Sequence, residues 1–157
     1  MFEKAKTLDE LNKAAIQCSK SVIKKESVQK YIINKASRNE RLKEDIEKGR
    51  YKLMPYHEFV ITEPKKRDIH ATSFRDRVWQ RSLCNNGVRA DLTRSFIYDN
   101  GACQKHKGTD FAIERVICFL QREFRKSEGK KIYYIHLDVK GFFPSTPHSE
   151  LKKMLGH

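Results

Sequence analysis

Residues 59–80 read FVITEPKKRDIHATSFRDRVWQ, and their hydrophobic period changes within this stretch. From His57 onward Phe59 and Ile61 alternate with polar neighbours until Pro64 stops the run, the pattern of a half-buried strand. Ile69 lies beyond a tight basic corner, Lys65-Lys66-Arg67-Asp68, so a short β-hairpin with cations at its tip is the simplest arrangement. Ser73-Phe74-Arg75-Asp76 then has the form of a capping box, and Phe74 with Val78 and Trp79 with Leu83 are i, i+4 pairs on the helix it opens. A hairpin running directly into a helix predicts the α+β class. The Asn85-Asn86-Gly87 triplet marks where that helix bends or ends.

Toward the N-terminus, Thr7 to Glu10 (TLDE) is another capping-box pattern, and Leu8, Leu11, Ala15, Cys18 and Val22 follow at helical spacing. A second amphipathic piece, Arg38 to Lys48, ends at Gly49, suited to a left-handed C-terminal position. Toward the C-terminus, Tyr98 to Gly108 (YDNGACQKHKG) is loop-like. Thr109 is placed to cap a helix with Ile113, Val116, Ile117, Leu120 and Phe124 on one face, ending at Ser127-Glu128-Gly129. Ile132 to Val139 then alternates as a strand, with Asp138 on the face opposite Leu137 and Val139. Thr146-Pro147 starts a last helix. There is no internal repeat or low-complexity linker.

The chain has 157 residues, 38% of them apolar, enough for a modest core. Lys plus Arg outnumber Asp plus Glu by 33 to 20, a net charge of +13. Such an excess fits a polyanionic partner, nucleic acid before an anionic membrane surface, although a merely soluble basic protein has the same balance. No apolar run approaches the roughly 20 residues that span a bilayer, and MFEKAKTLDE has no hydrophobic signal core, so the expectation is a cytoplasmic protein without a membrane partner. Cys18, Cys84, Cys103 and Cys118 form no Cys-x-x-Cys pair, and no histidine pair has ligand spacing. Zinc and a disulfide framework are therefore disfavoured.

Three features carry chemistry. Asp138, at a strand end beside a turn, is placed as a carboxylate that holds a divalent cation, although a turn-capping aspartate has the same local sequence. The cations Lys65, Lys66, Arg67, Arg75, Arg77 and Arg81 suit phosphate oxygens, and a solvated hairpin end has the same composition. The segment KHKGT places Lys105, Lys107, Gly108 and Thr109 at a helix start, either an anion site or a solvated cap.

Taken in order, FVITEPKKRDIHATSFRDRVWQ, FIYDNGACQKHKGTDFAIERV and YYIHLDVKGFFPSTPHSEL resemble the N-terminal half of bacterial reverse transcriptases, most nearly the group II intron-like branch and the enzymes of diversity-generating retroelements. The resemblance covers roughly residues 55 to 155 and does not extend to residues 1 to 50. It implies an α+β fold made of a reverse transcriptase fingers subdomain with the first palm strand, preceded by a helical region. The corresponding segments are 1–54 (N-terminal helical), 55–130 (fingers) and 131–157 (start of the palm, incomplete).

The resemblance also implies roles. Asp138 matches the first catalytic aspartate of the palm, which with the Val139 carbonyl holds Mg²⁺. Phe143 matches the residue beneath the incoming nucleotide's sugar that rejects a 2′-hydroxyl, with Phe142 in support. Arg67, with Lys65 or Lys66, matches the fingers residues that hold the triphosphate. The loop Gly101 to Thr109 and the helix after it would cradle the template, while Arg75 and Arg77 either contact phosphate or brace the fingers. The partners implied are an RNA template, a DNA primer and dNTP.

Two departures stand out. The hairpin tip KKRDI is abrupt, which favours the retroelement-like branch. The family's aromatic-x-Asp-Asp turn is absent, since no Asp-Asp occurs in the sequence. One aspartate does not organise two-metal phosphoryl transfer, so the chain alone is expected to be inactive, a fragment of an RNA-directed DNA polymerase. A non-enzymatic RNA-binding module, maturase-like or defence-related, is the competing reading. A palm strand lacking its sheet partners has exposed edges, which predicts self-association.

Overall fold

The computed structural model describes Phe2–Met154. It has an α+β composition and divides into two compact units with the boundary between Tyr98 and Asp99. That boundary falls inside the 55–130 segment.

In the first unit α1 (Phe2–Ala5), α2 (Leu8–Ser19), α3 (Glu26–Ile33) and α4 (Lys35–Glu47) follow one another closely. The Thr7 hydroxyl accepts from the Glu10 amide at 3.4 Å and donates to the Lys4 carbonyl at 2.9 Å. Only half of the expected box forms, because the Glu10 carboxylate accepts instead from Asn86 Nδ2 at 2.9 Å and Lys13 Nζ at 3.1 Å. Those bonds, Asn86 first, lower its pKa below the ordinary carboxylate value. Beyond α4, Gly49 takes φ +64°, the left-handed conformation anticipated for it.

Strands β1 (His57–Ile61) and β2 (Arg67–Ala71) pair antiparallel, with His57 opposite Ala71, Phe59 opposite Ile69 and Ile61 opposite Arg67. This hairpin is the one sheet among the described residues. Ser73 caps α5 (Phe74–Leu83), its hydroxyl accepting from the Asp76 amide at 3.1 Å. The Asn85-Asn86-Gly87 triplet lies in a π-helical turn, Cys84–Val88, which continues into α6 (Arg89–Arg94). Asn86 Nδ2 holds this wide turn by donating to the Ser82 carbonyl at 3.0 Å as well as to Glu10.

The core of this unit joins Leu11, Ala14 and Ala15 of α2 to Val28 and Tyr31 of α3, Leu42 of α4, and Phe74, Val78 and Trp79 of α5. The two alanines let α2 and α5 approach closely, and each buried Leu or Val contributes about 1.5–3 kcal/mol relative to exposure. Several polar groups in this interior are paired, Arg77 Nε being an exception. Tyr31 donates to Asn39 Oδ1 at 2.7 Å, Asn39 Nδ2 to Asn12 Oδ1 at 2.9 Å, and Ser82 to the Ala5 carbonyl at 2.7 Å.

The second unit contains α7 (Thr109–Ser127), α8 (Phe142–Ser145) and α9 (His148–Met154). Gly108, not Thr109, occupies the N-cap of α7, and Thr109 is its first helical residue without a side-chain cap bond. The helix ends as expected, with Glu128 and Gly129 at φ +50° and +83°. The predicted apolar face is present in register, yet Ile113, Val116, Ile117, Leu120 and Phe124 are all exposed.

The expected strand at 132–139 does not form a ladder. The segment is irregular and exposed, because no described part of the chain offers its amides and carbonyls a partner. The helix after Thr146-Pro147 is present as α9, with the Leu151 amide donating to the Pro147 carbonyl at 3.1 Å. Residues 155–157, the end of the 131–157 segment, lie outside the described residues.

Candidate functional site

The hairpin sets the geometry of the first group of candidates. Because Ile61 pairs with Arg67, residues 62–66 form the connecting loop, and Lys65 and Lys66 project from its end with Arg67 on the first ladder position after it. All three are exposed, and none of their side chains forms a hydrogen bond or ion pair among the described residues. Three unpaired cations within three consecutive positions make a local positive potential that an anion relieves.

Arg75 and Arg77 sit differently. Arg75 leaves α5 toward the end of α4, where its Nη2 meets Asp45 Oδ2 at 2.9 Å and its Nη1 donates to the Lys52 carbonyl at 3.2 Å. Its guanidinium also lies 5.1 Å from the centre of the Tyr51 ring. It braces the segment leading into the hairpin. Arg77 stacks at 5.3 Å over the Phe74 ring, with its Nε buried and without a hydrogen-bond partner. The contacts of Arg75 are those of a brace, while the ring contact of Arg77 stays within α5.

Behind them Asp76 is the polar centre of the unit. Its fully buried carboxylate accepts from the Ser73 hydroxyl at 2.8 Å, the Tyr51 hydroxyl at 2.9 Å and the Met54 amide at 3.0 Å. Burial, followed by the bond to Asp76, pushes the Tyr51 phenol above its ordinary value. Sequence reading recognised Asp76 only as part of a capping box. Its partners 22 and 25 residues upstream carry no local signal.

In the second unit, Asn100 shapes the loop before α7, its Oδ1 accepting from the Ala102 amide at 2.9 Å and its carbonyl from Gln104 Nε2 at 2.7 Å. The loop packs tightly on the helix start. A Cβ at Gly101 would lie 3.2 Å from both the Ala112 Cβ and the Gly108 carbonyl oxygen. Lys105 is exposed, Lys107 lies 4.7 Å above the Phe111 ring, and Gly108 is extended at φ 167°. This arrangement brings Lys105, Lys107, Gly108 and Thr109 to the positive end of a 19-residue helix, with Asp110 in the same first turn.

Asp138, Val139 and Phe143 are exposed. Gly141, at φ +63°, turns the chain into α8, and the Phe142 and Phe143 rings meet edge-to-face at 5.6 Å. Phe143 is 89% exposed, so its ring is a surface rather than a core element. Among the described residues there is no group of three or more His, Cys, Asp or Glu side chains placed to hold a metal ion. The Asp138 carboxylate and Val139 carbonyl are hard oxygen donors of the kind Mg²⁺ takes, and they account for only part of its octahedral shell. No described helix is long and apolar enough to cross a membrane. No protein-family model matches the chain, and no curated protein is significantly similar to it.

Proposed function

We propose that the chain is the fingers region and the start of the palm of an RNA-directed DNA polymerase of the reverse transcriptase kind, acting on an RNA template, a DNA primer and dNTP. The observation that carries this reading is the order of the three segments at 59–80, 96–116 and 133–151, whose proposed ligand-facing members Lys65, Lys66, Arg67, Asp138 and Phe143 are all exposed. In this reading Arg67 forks onto the triphosphate with Lys65 or Lys66 as a second cation. Phe143 forms the wall against a 2′-hydroxyl, and Lys105, Lys107 and the amides of Gly108 and Thr109 take template phosphates. Arg75 braces the segment leading into the hairpin through Asp45 and the Lys52 carbonyl. Asp138 with the Val139 carbonyl would hold Mg²⁺, which when bound supplies charge stabilisation for phosphoryl transfer.

The chain by itself supplies one such aspartate and no Asp-Asp pair, so it is inactive alone. The net charge of +13 also fits a second reading, an RNA-binding module without catalysis. Primer extension by the chain together with the product of its downstream reading frame separates the two. Asp138→Ala abolishes incorporation and leaves RNA affinity unchanged if the polymerase reading is right. Incorporation that survives Asp138→Ala refutes it. Salt-sensitive RNA binding with no incorporation even before mutation selects the binding module.

A further inference from the structure

Residues 1–50 play no part in the reading above, yet they line a groove of about 500 Å³ where α3, α4 and α5 meet. Arg38 and Arg41, one helical turn apart on α4, and Arg75 from α5 bring three guanidinium groups to it. Asp45 is the single acid in its lining, and it is already shared by Arg75 at 2.9 Å and Arg50 at 3.6 Å. Arg41 forms no hydrogen bond or ion pair among the described residues. Arg38 lies with its guanidinium 5.4 Å from the Tyr31 ring centre and has no acidic partner, so its N–H edge is unspent.

The same groove holds the start of α4. Asn34 occupies the N-cap without a side-chain cap bond, since its Nδ2 donates back to the Lys30 carbonyl at 3.0 Å, and the first turn of α4 carries no acid. The start of a 13-residue helix, which shares Asn34 with the end of α3, thus lies beside two arginines that have no acidic partner, and its first turn adds no acid to the groove. The hydroxyl of Ser37, also in the lining, donates to the Asn34 carbonyl at 3.2 Å, and the Tyr31 ring is buried. No exposed aromatic face is available for a base to stack on. The groove offers fixed positive charge and forked donors, the requirements of a phosphodiester backbone and not of a base.

We propose that this groove is a second nucleic-acid contact, gripping the phosphates of a single RNA or DNA strand without reading its sequence. It is independent of the hairpin tip and does not rest on the polymerase reading. Two unpaired arginines that each neutralise a phosphate add about 1.4 to the salt slope of single-strand binding, at roughly 0.7 per contact.

The test is fluorescence anisotropy of a short dye-labelled oligouridylate titrated with the full chain across a range of salt. The double variant Arg38→Gln/Arg41→Gln is expected to bind at least about fivefold more weakly and to lose about 1.4 from the slope. Arg41→Gln alone, which removes no contact within the protein, loses about half of that slope. The charge-matched control Lys24→Gln/Lys25→Gln, outside the groove, changes little. Equal losses in the control and the groove variant overturn the proposal. So does unaltered oligouridylate binding in the groove variant, including the case where inorganic phosphate raises the melting temperature of the unmodified protein alone and the groove serves small phosphates. Groove-dependent binding without any primer extension sustains this inference while the polymerase reading fails.

Discussion

Replacing Asp76 by alanine decides whether the FRDRV segment is scaffold. The carboxylate is fully buried, accepts bonds from Tyr51, Met54 and Ser73, and lies 3.9 Å from Arg75 Nη1. Alanine leaves three donors without an acceptor. A hydrogen bond to a charged group contributes about 1.5–3 kcal/mol, and its loss is complete only where water cannot substitute. Ser73 is half-buried and Met54 exposed, so both regain water, whereas the Tyr51 ring packs edge-on to Trp79 and its desolvated hydroxyl recovers less. The expected loss is about 3–4 kcal/mol, a large part of the roughly 5–15 kcal/mol that a domain possesses.

Trp79 is the single tryptophan in the sequence and is 6% exposed, with its ring 6.4 Å from that of Tyr51. Its fluorescence therefore reports unfolding of this unit directly. With a urea slope of about 1.5 kcal/mol/M, the midpoint falls by roughly 2 M. Asp76→Asn keeps one acceptor oxygen and turns an amide against the remaining donors, so its loss is expected to be at least half as large. A loss below about 1 kcal/mol in Asp76→Ala would refute the reasoning, because surface polar contacts cost no more than that.

The Tyr31 phenol, pushed up to about 12 by burial from its ordinary value of 10.0, makes the first unit alkali-sensitive. A raised folded-state pKa means stability is fully present below pH 10 and falls by up to about 1.4 kcal/mol per unit as pH climbs toward 12, so Tyr31→Phe should lessen the fall of urea midpoints over that range and leave the share that the raised Tyr51 phenol contributes. Glu10 works in the opposite sense. Its lowered pKa contributes stability above about pH 4.5 that disappears as pH drops further, and Glu10→Gln should reduce this acid dependence in the same titration. Gly101→Ala places a Cβ 3.2 Å from a backbone oxygen, so hydrogen exchange in the first turn of α7 should quicken several-fold while Trp79 fluorescence is unaltered. The triple change Lys65→Gln/Lys66→Gln/Arg67→Gln removes no internal contact and should shift the urea midpoint by less than the equivalent of about 0.5 kcal/mol while lowering the salt slope of RNA binding by about 2.

Local signals were sufficient for much of the fold. The caps at Thr7 and Ser73, the left-handed stops at Gly49 and Gly129, and the hairpin with its basic loop depend on neighbours within a few residues, and each is present. Where sequence reading fell short, a partner distant along the chain was involved. Glu10 has the spacing to close its own capping box, yet Asn86, 76 residues later, takes its carboxylate. The alternation in 132–139 is genuine β pattern, but an isolated segment satisfies none of its backbone groups and so remains irregular. Gly108 rather than Thr109 takes the cap position of α7, a shift of one residue that the local pattern does not distinguish.

The sequence by itself determined the helical and hairpin periods, the excess of positive charge, and the order of the segments that bear Arg67, Asp138 and Phe143, since these are properties of adjacent residues. Only the tertiary structure decided that Arg75 is committed to Asp45, that Asp76 is a buried acceptor for three donors, and that Arg38 and Arg41 remain unpaired beside an uncapped helix start. Whether a charged side chain is consumed or left free depends on which distant groups packing brings within bonding distance, and spacing along the chain carries no record of that.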